Sequence, residues 1–295
     1  MSEHTTPGSR EGQLVLALDT STASLAAALV RGDEVLRDIQ SLAERNHSVH
    51  TVSVVKDLLS ECGVAPEELA GIAIGRGPGS YTGMRIAVSV GKTLAWVWQK
   101  PLVGVSSLEA LAYGAWQTGA DKDTAAANVP VGTRPVWVVP IMDARRGQVY
   151  TGAFEASAPD VSSSEFPAAW KRLAKDGIRL MHDWVDRLAA DVKDMDAASR
   201  PSAIWIVGEL QLHEAEAERL RSICPEVEVA AFSYILEGRS VAALGLSRLA
   251  AGESDDVHTF IPNYTQLTEA EVKLQERTAS QQQSAVEGAG KRDGH

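Results

Sequence analysis

The chain has 295 residues, 44% of them apolar and 23% charged, with a formal net charge of -11. At about 150 residues per domain the length fits two domains. The acidic balance excludes a protein that grips nucleic acid by its own electrostatics alone, though not one that works on RNA through a basic partner. Only two cysteines, Cys62 and Cys224, are present, which excludes a disulfide scaffold and a cysteine zinc cluster.

Residues 1–12 are polar, lack an apolar core and read as a disordered start. No apolar run approaches the ~20 residues of a membrane span, so no membrane contact is expected; the sparse cysteines suit a reducing compartment, and a cytoplasmic protein is expected. Apolar runs at Leu14–Leu18, Ser24–Val30 and Val35–Leu42 predict three strands, the last two joined by a Gly32-Asp33 turn. Val49, Val52, Val55, Leu59 and Cys62 recur at helical spacing, and Gly63 and Pro66 end that helix. Leu69–Ile74 predicts a strand, and Ser80 or Thr82 can cap a long helix reaching Gln99. Pro101–Val105 reads as a strand. Ser106 and Glu109 have capping-box spacing before a helix through Trp116. The pattern is an α/β domain with a mixed sheet over residues 13–117.

The stretch 118–135 is polar and reads as a linker or surface loop. A second unit follows over 136–272. Its expected strands are Val136–Met142, Val149–Phe154, Ile204–Val207 and Val227–Ala230. Its expected helices are Glu165–Lys175, His182–Ala190, Leu212–Ile223 and Ser240–Ala250. Residues 273–295, rich in Gln, Ser, Gly and charge, are expected to lack fixed structure. Seven tryptophans against four phenylalanines are unusual, and core packing accounts for most of them.

Three places could carry chemistry. Gly75-Arg76-Gly77-Pro78-Gly79-Ser80-Tyr81-Thr82-Gly83-Met84-Arg85 links a strand to a helix. Its backbone amides at Gly77, Gly79 and Ser80, with Arg85 one turn in, could hold a phosphate. The alternative is a tight structural crossover; neither dinucleotide nor P-loop spacing is present. Asp19-Thr20-Ser21, between two strands, could orient Mg²⁺ and phosphate oxygens or simply close an Asx-turn. Asp143, after another strand, is the natural second carboxylate of a nucleotide cleft. His47 and His50 lie three apart without a third ligand nearby, so no metal site is expected. No nucleophile elbow surrounds Ser80, and Cys62 lies on an apolar stripe.

Taken together, Leu16-Ala17-Leu18-Asp19-Thr20-Ser21, Arg45-Asn46-His47-Ser48, Gly77 through Ile86, Val105 through Ala112, Asp143 through Tyr150 and Pro262-Asn263-Tyr264 with Glu269-Ala270-Glu271 resemble the TsaB (YeaZ) family. Their order spans roughly residues 13–272. The resemblance implies a two-lobed actin/hexokinase/Hsp70-like (ASKHA) fold with mixed sheets and a reduced second lobe, whose final helix returns to the first. It implies a non-catalytic partner of TsaD, which transfers a threonylcarbamoyl group to N6 of adenosine 37 in tRNAs reading codons that start with A. The complex uses ATP, Mg²⁺ and threonylcarbamoyl-AMP, while this chain requires no cofactor of its own. The implied partners are TsaD in a heterodimer, TsaE docking on the pair, a second copy in a homodimer, and tRNA through the complex.

In that role Asp19, Thr20 and Ser21 are remnants of a phosphate turn, and His47 belongs to the partner surface. One helix carries the stripe Val49, Val52 and Val55, and the next carries Ile86, Val90, Leu94 and Val97. If those stripes cover the sheet, Val54 and Val88 are left to face a partner. Thr265 and Gln266 replace the family's usual Leu-Arg after Pro-x-Tyr. Two other readings stay open: an independent ATPase or phosphotransferase using Asp19 and Asp143, and a protease of the glycoprotease label, for which no nucleophile and base are found.

Overall fold

The apolar run Leu14–Asp19 (β1) is buried at every position, because it is a central strand of a sheet covered by helices on both faces. Ser24–Arg31 (β2) returns antiparallel to it, and Glu34–Leu42 (β3) pairs antiparallel with β2. Leu69–Gly75 (β4) runs parallel on the other side of β1, and Leu102–Val105 (β5) extends that parallel set. The sheet order is β3-β2-β1-β4-β5. The helices His47–Glu61 (α1), Tyr81–Trp98 (α2) and Ser107–Ala120 (α3) follow β3, β4 and β5 in turn. This computed structural model describes residues 12–42, 47–120, 134–157 and 170–265. The expected disordered ends, the inner part of the 118–135 linker and Gln266 lie outside them.

The second half repeats the scheme. Val136–Asp143 (β6), Gln148–Ala156 (β7) and Trp170–Leu180 (β8) form an antiparallel set. Ala203–Gly208 (β9) and Glu228–Ser233 (β10) add parallel strands on the other side of β6, giving the order β10-β9-β6-β7-β8. Met181–Lys193 (α4), Glu214–Ile223 (α5) and Gly238–Ala250 (α6) follow β8, β9 and β10. The two halves thus share one strand order, the duplicated actin/hexokinase-like arrangement. Among the described residues the second lobe is smaller in its helices, each shorter than its counterpart, whereas its sheet keeps five strands.

The expected helix at Glu165–Lys175 is overturned. Residues 170–180 form strand β8, while 165–169 lie outside the described residues. Lys, Arg, Leu and Ala favour a helix locally, but residues 170–175 alternate half-buried and exposed, the mark of an edge strand. Register shifts against β7 interrupt the pattern further on.

Each lobe buries an outer and an inner face. Outside the first sheet, Leu16, Leu18, Ile72 and Ile74 pack with Val55, Leu58 and Leu59 of α1 and with Ala87 and Val88 of α2. Outside the second, Trp137, Val139 and Ile141 pack with Trp184, Val185 and Leu188 of α4 and with Ala217 and Leu220 of α5. The inner faces share their helices by exchange. α6, from the second half, packs on β1, β2, β4 and β5. α3, from the first half, packs on β6, β7 and β9. The order of layers is therefore helices, sheet, the α3–α6 pair, sheet, helices. The chain up to Asn263 forms one unit, and a second begins at Tyr264.

Candidate functional site

The Asp19-Thr20-Ser21 corner at the end of β1 is a closed structure. Asp19 is 1% exposed. Its Oδ1 accepts the Ser21 amide at 2.6 Å, an Asx-turn, and its Oδ2 accepts the Ser107 hydroxyl at 2.5 Å. Ser107 Oγ in turn accepts the Gly77 amide at 2.9 Å, and the Ser107 amide donates back to Gly77 O at 3.0 Å. One carboxylate therefore ties the end of β1 to the glycine-rich crossover and to the start of α3. Burial holds the Asp19 carboxyl above its ordinary range, against the lowering effect of the Ser107 and Ser21 hydrogen bonds.

Thr20 completes the clasp. Its hydroxyl donates to Gly83 O at 2.6 Å and accepts the Ala87 amide at 3.1 Å, which pins the first turns of α2 against the turn. The Ser80 amide donates to Ser21 O at 2.7 Å, and Ser80 Oγ caps α2 by accepting the Gly83 amide at 3.3 Å. The glycines are needed for these approaches. A Cβ on Gly83 would lie 1.8 Å from Thr20 O, one on Gly79 would lie 2.4 Å from Ser21 O, and one on Gly75 would lie 1.7 Å from Asp19 Oδ2. Gly77 and Gly79 also have φ of +91° and +157°. The crossover spends the Gly77 and Ser80 amides on its own protein, so neither is left to hold a phosphate. Arg85 is exposed, with its guanidinium 5.4 Å from the centre of the Tyr81 ring.

Asp143 occupies the equivalent corner of the second lobe, at the end of β6. Its amide donates to Glu209 at 2.8 Å, and its Oδ1 lies 3.2 Å from Nε2 of the buried His213. Asp19 and Asp143 share none of these partners, so the structure does not join them into one carboxylate pair. A nucleotide clamp built on Asp19 and Asp143 loses its first carboxylate to the interior. His213 and Glu209 were missed in the sequence, because Asp143 reaches them only through the neighbouring parallel strand β9. Among the described residues no three His, Cys, Asp or Glu side chains gather to hold a metal ion.

The partner-facing residues fall differently from the sequence expectation. His47 opens α1, but its side chain lies outside the description. Val88 is 4% exposed and packs in the lobe core, and Val54 is half-buried against the same core. Val52 and Val97, expected to cover the sheet, are 54% and 58% exposed, and Trp96 is 60% exposed. The reason is the packing of α2. Gly83, Ala87, Gly91 and Ala95 form the buried small-residue row, and a Cβ on Gly91 would lie 2.4 Å from Ile74. Small side chains let α2 approach the sheet closely, which rotates the bulky Val97 outward. A stripe read from bulk alone picks the wrong face.

A tRNA threonylcarbamoyladenosine biosynthesis protein TsaB from Bacillus subtilis is 34% identical over 259 residues, covering 88% of this chain and 96% of that protein. The chain belongs to the TsaB family. The Escherichia coli TsaB is 33% identical over 142 residues, 48% of this chain and 54% of that protein. The family model described as TsaD, tRNA N6-adenosine threonylcarbamoyltransferase, also matches, over residues 39–274. Individual transferases are matched over less: one from Anaeromyxobacter is 40% identical over 111 residues, 33% of its length. Among solved structures, a Pseudomonas aeruginosa protein described as similar to peptidase YEAZ is 26% identical with a TM-score of 0.65, covering 86% of this chain and 100% of that one. The structure named YeaZ from the same organism, 24% identical with a TM-score of 0.61 over 85% of this chain and 99% of its own, shares the fold.

Proposed function

We propose that the chain is the non-catalytic partner of TsaD, stabilising and positioning it for transfer of a threonylcarbamoyl group to N6 of adenosine 37 in tRNAs that read codons starting with A. The observation that carries this reading is the match to TsaB over 96% of that relative's length. The sealed Asp19-Thr20-Ser21 turn supports it: the corner stiffens a lobe and presents no open carboxylate for chemistry. ATP, Mg²⁺ and threonylcarbamoyl-AMP are then used by the complex.

The surface offered to TsaD lies on α1 and α2, around the exposed Val52, Trp96 and Val97. Apolar side chains this exposed on neighbouring helices are suited to burial against another protein. The same face makes a homodimer when TsaD is absent, TsaE docks on the heterodimer, and the complex works in the cytoplasm. No described helix is long and apolar enough to cross a membrane.

Reconstitution tests the proposal. Cognate TsaD, TsaE, tRNA and threonylcarbamoyl-AMP are combined with and without this chain. Modified adenosine is expected to form at least tenfold faster with it, and none is expected from this chain and tRNA without TsaD. A rate independent of the chain would overturn the reading.

A further inference from the structure

A polar cavity lies away from the Asp19 corner. It encloses about 570 Å³ between the ends of β4 and β5, the start of α3, the edge strand β8 and the middle of α6. That volume falls within the range of about 300–1,000 Å³ typical of small-molecule sites.

Its charges sort into two groups. All three carboxylates are already occupied. Glu109 accepts the Trp170 indole at 3.2 Å and pairs with Arg172. Asp176 pairs with Arg172 and accepts the Ser106 hydroxyl at 2.7 Å. Asp255 accepts the Gly104 amide at 2.7 Å and lies 3.3 Å from Arg248. These pairs also use up Arg172 and Arg248. Arg76 and Lys175 remain. They line the cavity from opposite lobes, both are exposed, and neither side chain has a hydrogen-bond or ion-pair partner among the described residues.

We infer that this cavity binds a phosphate-bearing ligand, with Arg76 from the first lobe and Lys175 from the second closing on the phosphate. A phosphate monoester carries a charge of about -1.5 to -2 at neutral pH, which two unpaired cations match. Arg offers a planar fork and Lys a mobile point charge, a combination that suits a tetrahedral anion. The paired carboxylates forming the rest of the wall keep the cavity from collecting anions indiscriminately, and the half-buried Trp170 indole gives it an apolar side. The site is separate from the glycine crossover, whose Gly77 and Ser80 amides are spent internally, even though Arg76 belongs to the same sequence segment. A free mononucleotide and an RNA strand supply the same chemistry.

The test is equilibrium binding to the full chain by titration calorimetry, with three probes: inorganic phosphate, AMP and a single-stranded RNA 12-mer. Four proteins are compared: the wild type, Lys175→Gln, the double variant Arg76→Gln/Lys175→Gln, and Lys171→Gln. Lys171 is exposed on the same strand and does not line the cavity. Saturable AMP binding, weakened about tenfold or more in the double variant and unchanged in Lys171→Gln, supports a nucleotide. Binding of the RNA alone, with the same dependence on variants and a steep loss with salt, supports a strand phosphate. Lys175→Gln alone is expected to weaken binding by several fold, and its exposed position spares the fold. No saturable binding by any probe, or equal binding by wild type and both cavity variants, overturns the proposal.

Discussion

Asp19 illustrates how a residue that looks reactive in sequence becomes structural. A carboxylate flanked by hydroxyls after a strand suits phosphate chemistry, and the sequence leaves both readings open. Burial and the hydroxyl of Ser107, 88 positions away, decide for the structural one. The consequence is a defined pH response. The Asp19 carboxyl is held above its ordinary value of 3.8 by burial, so the folded protein binds that proton more tightly than the unfolded chain does. Its contribution is fully present below the unfolded pKa and is lost as pH rises through the raised folded one. Relative to Asp19→Asn, the wild type should therefore lose stability as pH is raised from acid towards neutral. Urea midpoints of the two proteins at matched pH values check this; parallel curves would show that the carboxyl titrates as in the unfolded chain.

α2 and β8 are the elements where local pattern and tertiary role part company. In α2 the small row Gly83, Ala87, Gly91 and Ala95 faces the sheet, so the bulky Val97 points outward with Trp96. Substitutions should separate the two faces. Val52→Asp or Val97→Asp, at exposed positions, is expected to change stability by only about 0.5 kcal/mol. Each should nonetheless reduce co-elution with TsaD on size exclusion. Val88→Asp places a carboxylate in the core and should cost several kcal/mol, seen as a large drop in melting temperature. Val54→Asp is the less clean probe, since Val54 is half-buried and would report stability and association together. Retained co-elution by Val52→Asp and Val97→Asp would remove this face from the TsaD contact. In β8 the sequence Trp-Lys-Arg-Leu-Ala-Lys favours a helix, yet its place at the sheet edge makes it a strand whose Lys171 and Lys175 reach solvent.

At the scale of the molecule, the two lobes are halves of one repeat that exchange their last helices. α6 buries Val241, Ala242 and Leu246 beside Val15, Ala17 and Ala28 of the first sheet. Gly238 and Gly245 permit the approach: a Cβ on Gly245 would lie 2.2 Å from that of Ala73. Neither half can cover its own inner sheet face. A fragment of residues 12–120 is therefore expected to aggregate or to lack a cooperative calorimetric transition, whereas the full chain unfolds in one main transition. Cooperative unfolding of the isolated fragment would show that the exchange is dispensable.

The sequence by itself determined most of the strands and helices, the two-part organisation and, through the spaced motifs from Asp19 to Tyr264, the family. These signals are local: apolar runs, caps, turns and short motifs are written in neighbouring residues. It misread β8, because its residues favour a helix and only pairing with β7 makes them a strand. Only the tertiary structure decided that Asp19 is sealed, that Val88 faces inward and Val52 outward, and that Arg76 and Lys175 line one cavity. Each of those outcomes depends on what another element brings within a few ångströms, and close packing by small residues leaves little trace in a pattern of bulky ones.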